Sequence, residues 1–214
     1  MRCYDETGVN LAMTRRYRRI IGGERVNDER PGNKGKNISL VGAISDVGEA
    51  ARRVGLIATM TLPGGFNTAS FLVYIEQILL PVLWVGAIVV MDNVPFHHAD
   101  KIESLIESVG AKVKYLPPYS PDLSPIELCW SKIKEILRSA KARTENALNI
   151  AITNAINAIS DEDAINWFNH CGLFAESIRL LLSGFYLVAN CCNFTYLKTN
   201  LKNFQCWEIS LIDF

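Results

Sequence analysis

Hydrophobic and polar positions along the chain alternate in blocks that change period several times. Arg2–Asp5 reads as the stub of a first strand, and residues 6–36 as a long connection rich in Gly and Arg, broken by Gly22-Gly23 and Pro31-Gly32. The apolar runs Asn37–Asp46 and Gly55–Thr61 are joined by a Gly-containing turn and predict a β-hairpin. Asn67 then caps a predicted helix running to about Leu80, with Phe71, Tyr74, Ile75 and Ile78 on one face. Ala87–Asp92 is a continuous apolar run ending in an acid, the pattern of a strand covered on both faces. Ile102, Leu105, Ile106 and Val109 recur at helical spacing up to Gly110, and Lys112–Leu116 alternates as a strand does. Three further helices are predicted at Pro125 to about Arg138, Thr144–Ile159 and Asp161–His170. The order is an antiparallel meander followed by βαβ crossovers, which predicts an α/β domain with a mixed β-sheet flanked by helices.

The periodicity stops after the last of these helices. Residues 179–214 hold only five charged side chains but seven of the 20 aromatic ones and three of the six cysteines. They are set apart as a tail. Elsewhere, 214 residues at 49% hydrophobic and 21% charged are enough for one domain with a real core. Ile78–Met91 is too short to cross a bilayer and contains Pro81, while the longer stretch Leu180–Leu197 carries Asn190 and Asn193, so no membrane partner is expected. The cysteines show no zinc-ligand spacing and read as reduced thiols.

Net charge is zero, with 22 basic and 22 acidic residues, so any attraction for nucleic acid must be local. Two stretches are basic. Residues 1–36 carry nine Lys or Arg, including Arg15. Residues 130–143 carry Lys132, Lys134, Arg138, Lys141 and Arg143 against Glu135 alone. Lys134 and Arg138 follow Glu127 by seven and eleven residues and share its helix face. Such groups suit phosphate contacts, and they equally suit a solvated face.

Three acids stand where elements end or begin: Asp5 on the first strand, Asp92 at the end of the strand after the first helix, and Glu127 in the first turn of the helix at Pro125. If the first strand neighbours the later parallel one, both aspartates project from one sheet edge and the helix brings the glutamate over them. Converging carboxylates repel unless cations neutralise them, and an all-oxygen set selects Mg²⁺ or Mn²⁺. Each acid also has a structural reading. Ser124 and Glu127 form an S-x-x-E capping box, Asp92-Asn93 a turn pair, and Asp5-Glu6 a solvated pair. Trp130, spaced with Ile133 and Leu137, reads as core.

The stretch VVMDNVPFHHADKIESLIESVGAKVKYLPPYSPDLSPIELCWSKIK, residues 89–134, resembles the signature of DDE transposases of the mariner and bacterial insertion-sequence superfamily: D-N-x-x-x-H, then L-P-x-Y-S-P-x-L-x-P-I-E, then W-x-x-x-K. Thirty-four residues lie between Asp92 and Glu127, as in that family, and the resemblance runs over roughly residues 2–175. It implies a ribonuclease H-like fold and a catalytic and metal-binding triad of Asp5, Asp92 and Glu127 holding two Mg²⁺ (or Mn²⁺). It also implies supporting roles for Asn93 and His97, and phosphate contacts from Lys132, Lys134 and Arg138. The implied activity is metal-dependent strand cleavage and strand transfer at transposon ends.

The implied partner is double-stranded DNA, both transposon ends and target. The active form would be a homodimer working with a separate helix-turn-helix region, DNA-associated in a bacterial cytoplasm or, in a eukaryote, in the nucleus. Met1 stands four residues before Asp5, so the expectation is a catalytic domain over residues 1–176, truncated at its start, with residues 177–214 a read-through or frame-disrupted tail. Two readings of function differ in class: a metal-dependent transposase domain, or an inactive remnant with weak non-specific DNA binding. A stand-alone ribonuclease H-like hydrolase is a third, against which the Y-S-P-x-L-x-P-I-E motif argues.

Overall fold

The computed structural model describes residues 1–15, 17, 22, 29, 31–46, 54–92, 100–118 and 120–173. All belong to the first of two units, Met1–Phe174 and Ala175–Phe214. The expected boundary at residue 176 and the tail lie outside the described residues, as do Asn93 and His97.

Five strands form one mixed sheet in the order β3-β2-β1-β4-β5. They are β1 (Arg2–Val9), β2 (Ile38–Ser45), β3 (Gly55–Pro63), β4 (Ile88–Met91) and β5 (Lys112–Tyr115). β1, β2 and β3 make the antiparallel meander. β4 pairs in parallel with β1 on one side and β5 on the other. β1 is longer than the predicted stub. Its polar run Asp5-Glu6-Thr7 hides the alternation, yet every residue from Arg2 to Val9 is paired with β2.

Side chains alternate across the sheet and build two cores. On one face Cys3, Val9, Leu40, Ile44 and Val90 pack against α3 (Pro125–Ala140), which α4 (Glu145–Asn157) and α5 (Asp161–His170) cover in turn. On the other, Tyr4, Val41, Ala43, Val89 and Met91 meet α1 (Thr68–Tyr74) and α2 (Asp100–Ser108). Three layers result, the sheet in the middle, as the hydrophobic pattern predicts.

Helix ends follow local chemistry. Asn67 caps α1, accepting from the Ser70 backbone N–H at 2.9 Å. α1 is shorter than predicted. It passes into a π turn, Ile75–Leu79, and then a 3₁₀ turn, Leu80–Val82, where Pro81 has no N–H to continue an α ladder. The predicted capping box at Ser124 is not formed. Ser124 makes no side-chain cap, and the backbone N–H that Glu127 would need donates instead to Pro121 O at 3.0 Å. A complete box stands at the start of α5, where Ser160 and Asp163 cap each other reciprocally.

The segment leaving β1 is clipped to the far end of α3. Arg143 donates to the carbonyls of Leu11 at 3.0 Å and Met13 at 3.3 Å, and Arg15 donates to Ser139 Oγ at 2.8 Å. Two arginines of the basic stretches are thus engaged in holding β1 and α3 together.

The two serines give a direct contrast. Ser160→Ala removes a working cap and should cost about 1 kcal/mol, a fall in thermal midpoint of ~2–4 °C for a domain this size. Ser124→Ala should lower the midpoint by less than half as much. Equal losses in differential scanning calorimetry would mean that Ser124 caps α3 after all.

Candidate active site

Alternation along β1 places Cys3, Asp5, Thr7 and Val9 on the α3 face, with Tyr4 on the other. The parallel register pairs Arg2 with Val89 and Cys3 with Val90. Continued at the same offset, it brings Asp92, the residue after β4, level with Asp5. Val90 packs on the α3 face and Met91 opposite, so the pleat turns Asp92 toward α3 as well. Glu127, third residue of α3, is exposed above them.

Both other acids act on the Asp5 carboxyl, though burial acts more strongly. The Asp5 carboxyl is pushed up from its ordinary 3.8 to about 8, first by burial, then by the negative charge of Glu127, with smaller contributions from Glu6 and Asp92. A hydrogen bond from the Glu6 backbone N–H opposes the rise. One further donor reaches the same carboxylate: the Trp130 indole N–H, 3.1 Å from Oδ2. Trp130 is core, as its spacing predicts, but the sequence reading missed this polar contact. The signal for it was present, since Trp130 follows Glu127 by three and therefore shares its helix face.

All three acids offer hard oxygen donors, the chemistry that suits Mg²⁺ or Mn²⁺. Their donor set fits such ions. The arrangement is open, however: among the described residues no three His, Cys, Asp or Glu stand together as a finished ligand cage.

The three basic candidates on α3 have different surroundings. Lys132 is bound to Asp163 of α5. Burial alone would raise the Asp163 carboxyl, but hydrogen bonds from Lys132 and Ser160 hold it below its ordinary value. Arg138 lies 4.0 Å from Glu135, and Lys134 is half-buried. A separate cleft of about 300 Å³ between β3 and α4, lined by Thr59, Met60, Thr61, Asn149, Ile152, Thr153 and Ile156, contains no titratable side chain.

The family model for the DDE superfamily endonucleases matches residues 1–149. The chain belongs to that family. Solved structures agree in fold. The Mos1 transposase paired-end complex with left transposon end is 21% identical with a TM-score of 0.60, the match covering 79% of this chain and 51% of that one. The Mos1 mariner paired-end complex with Mn is 21% identical with a TM-score of 0.58, covering 79% and 52%. The catalytic domain of Mos1 mariner transposase is 18% identical with a TM-score of 0.55, covering 79% and 76%. This DDE endonuclease chain therefore has the ribonuclease H-like fold of transposase catalytic domains, and it spans about half the length of the Mos1 chains in the two complexes. No curated protein matches it.

The raised Asp5 carboxyl has a consequence for stability. Between about pH 4 and 8 the folded chain keeps a proton that the unfolded chain releases, so stability falls as pH rises through that window. In chelator, the thermal midpoint of the wild-type chain should decline from pH 5 to pH 8.5. Asp5→Asn should remove most of the decline, since an amide oxygen can still accept from Trp130. Parallel pH profiles for the two proteins would show that Asp5 ionises normally.

Proposed function

We propose that this chain is the catalytic domain of a DDE transposase, cleaving DNA strands at transposon ends with divalent metal and joining the freed 3′-hydroxyl to target DNA. The observation that supports this reading is the Asp5 carboxyl on β1 beneath α3, pushed up to about 8 first by burial and then by the negative charge of Glu127, with a smaller contribution from Asp92. An unfilled cluster of this kind is electrostatically costly, and cations remove the cost. Asp5, Asp92 and Glu127 are the residues that would hold two Mg²⁺ or Mn²⁺. The chemistry such ions supply when bound is activation of the attacking oxygen and neutralisation of charge on the phosphoryl group.

The chain's own residues do the rest. β1 and β4 fix the two aspartates at one level, and α3 delivers Glu127 from above. Asn93 and His97 follow Asp92 closely enough in sequence to support the same site. Lys134 and Arg138, on the Glu127 face of α3, are positioned for the DNA backbone, where contacts give affinity without reading sequence. Lys132 is a weaker candidate, because Asp163 already neutralises it. Selection of transposon ends is assigned to a helix-turn-helix region working with this domain, and the active species to a homodimer. Mos1 complexes with a transposon end and with Mn support the DNA and metal parts of this reading. The presence of all three carboxylates, two of them acting electrostatically on Asp5, favours it over an inactive remnant.

Mn²⁺ at a hundredfold excess over its dissociation constant should add about 2.7 kcal/mol of stability, a rise in midpoint of ~5–10 °C. Asp92→Asn and Glu127→Gln should each lose most of that rise. On a duplex oligonucleotide carrying the element's end, the same two variants should lose Mn²⁺-dependent nicking to background. An undiminished Mn²⁺ response in Glu127→Gln would remove that residue from the ligand set, and nicking that survives both substitutions would refute the assignment.

A further inference from the structure

Trp130 is 1% exposed, and an indole has one polar atom, a donor. Buried indole N–H groups need an acceptor. This one has the carboxylate of Asp5, at 3.1 Å.

The ring's other end is equally constrained. Gly42 of β2 stands directly across the ladder from Asp5. A Cβ added at Gly42 would lie 3.2 Å from Trp130 Cη2 and 3.1 Å from Leu56 Cδ1, closer than side chains normally approach. Strand β3 bulges at this level: the pairing skips between Val41 and Ala43, and Ala58 takes a positive φ of 50°. The indole thus lies across two strands about 4.8 Å apart, its six-membered ring on the bare backbone of Gly42 and its N–H on Asp5. A larger residue at 42 would lift the ring and carry the N–H with it.

We infer that Trp130, seated on Gly42, is a positioning residue for the candidate metal site: its N–H fixes Oδ2 of Asp5 and leaves the second carboxylate oxygen to serve as ligand. The inference rests on the reading of Asp5 as a metal ligand. Physically, a carboxylate facing Glu127 and Asp92 is driven to rotate away from them, and a donor that neither moves nor accepts a proton resists that rotation. Because Trp130 and Glu127 sit one turn apart on α3, the helix that supplies one ligand also orients another. Removal of such outer partners typically lowers metal affinity about 10–100-fold.

The test is metal affinity and an NMR signal, not turnover. In the ¹⁵N-labelled full chain, Mg²⁺ titration should move the Trp130 indole N–H resonance and leave those of Trp84 and Trp167 in place. Replacing Trp130 with β-(3-benzothienyl)alanine, which puts sulfur where the N–H was and keeps the ring shape, should raise the apparent Mn²⁺ dissociation constant from thermal shifts about 10-fold or more. Trp130→Phe should do the same if its smaller ring leaves the core folded, and the benzothienyl protein decides the matter if it does not. Gly42→Ala should displace the Trp130 indole resonance and weaken Mn²⁺ binding in the same direction. Equal Mn²⁺ affinity in the wild-type and benzothienyl proteins overturns the inference while leaving the metal site standing. Absence of any Mg²⁺ or Mn²⁺ response in the wild type overturns the metal site, and the inference with it.

Discussion

The parallel pairing of β1 with β4 beneath α3 is the constraint from which the rest of this domain follows. β1 and β4 pair in parallel through Arg2–Val89 and Cys3–Val90, an offset that, continued two residues, reaches Asp5 and Asp92, and Asp5 meets Trp130 of α3. Burial beneath α3, and then the negative charge of Glu127, push the Asp5 carboxyl up from its ordinary 3.8 to about 8. The helix is held there by packing. Ile126, Cys129, Trp130, Ile133 and Leu137 bury one face of α3 against the sheet and its covering helices, and truncating a ring such as Trp130 would cost about 3–5 kcal/mol. Arg143 and Arg15 tie the exit of β1 to the end of the same helix. The helix cannot move away from the aspartates without breaking a core.

Much of this architecture was legible in the residue pattern, because burial on one or both faces leaves a period. β4, α2, β5, α4 and α5 stand within a residue or two of where their periodicity places them. The misreadings have specific causes. β1 looked like a stub because Asp5, Glu6 and Thr7 are three consecutive polar residues that mask the alternation. α1 looked longer because the apolar face continues through Ile78, while Pro81 ends the α ladder in a way that hydrophobicity does not record. Ser124 and Glu127 spelled a capping box, but Pro121 and Asp122 fold the preceding turn so that the Ser124 N–H is already taken.

For the site, spacing proved more informative than composition. Asp5, Asp92 and Glu127 could be singled out because each sits at the middle, end or start of an element that the residue pattern locates. Charge counts were a poorer guide. Lys132, Arg143 and Arg15 belong to basic stretches, yet their donors meet Asp163, three backbone carbonyls and Ser139. Nor does a period tell which atom of a buried ring points where. Trp130 was legible as core, and its spacing from Glu127 put it on the site face of α3, but nothing in the pattern named Asp5 as the acceptor of its N–H.

The most direct measurement of the central claim is a crystal structure of the chain grown with Mn²⁺ and recorded at a wavelength where manganese scatters anomalously. The account predicts an anomalous peak within coordination distance of carboxylate oxygens from Asp5, Asp92 and Glu127, with Trp130 still bonded to Oδ2 of Asp5. A manganese-free cluster in crystals that hold the ion elsewhere, or a peak at this edge that excludes Asp5, would contradict it.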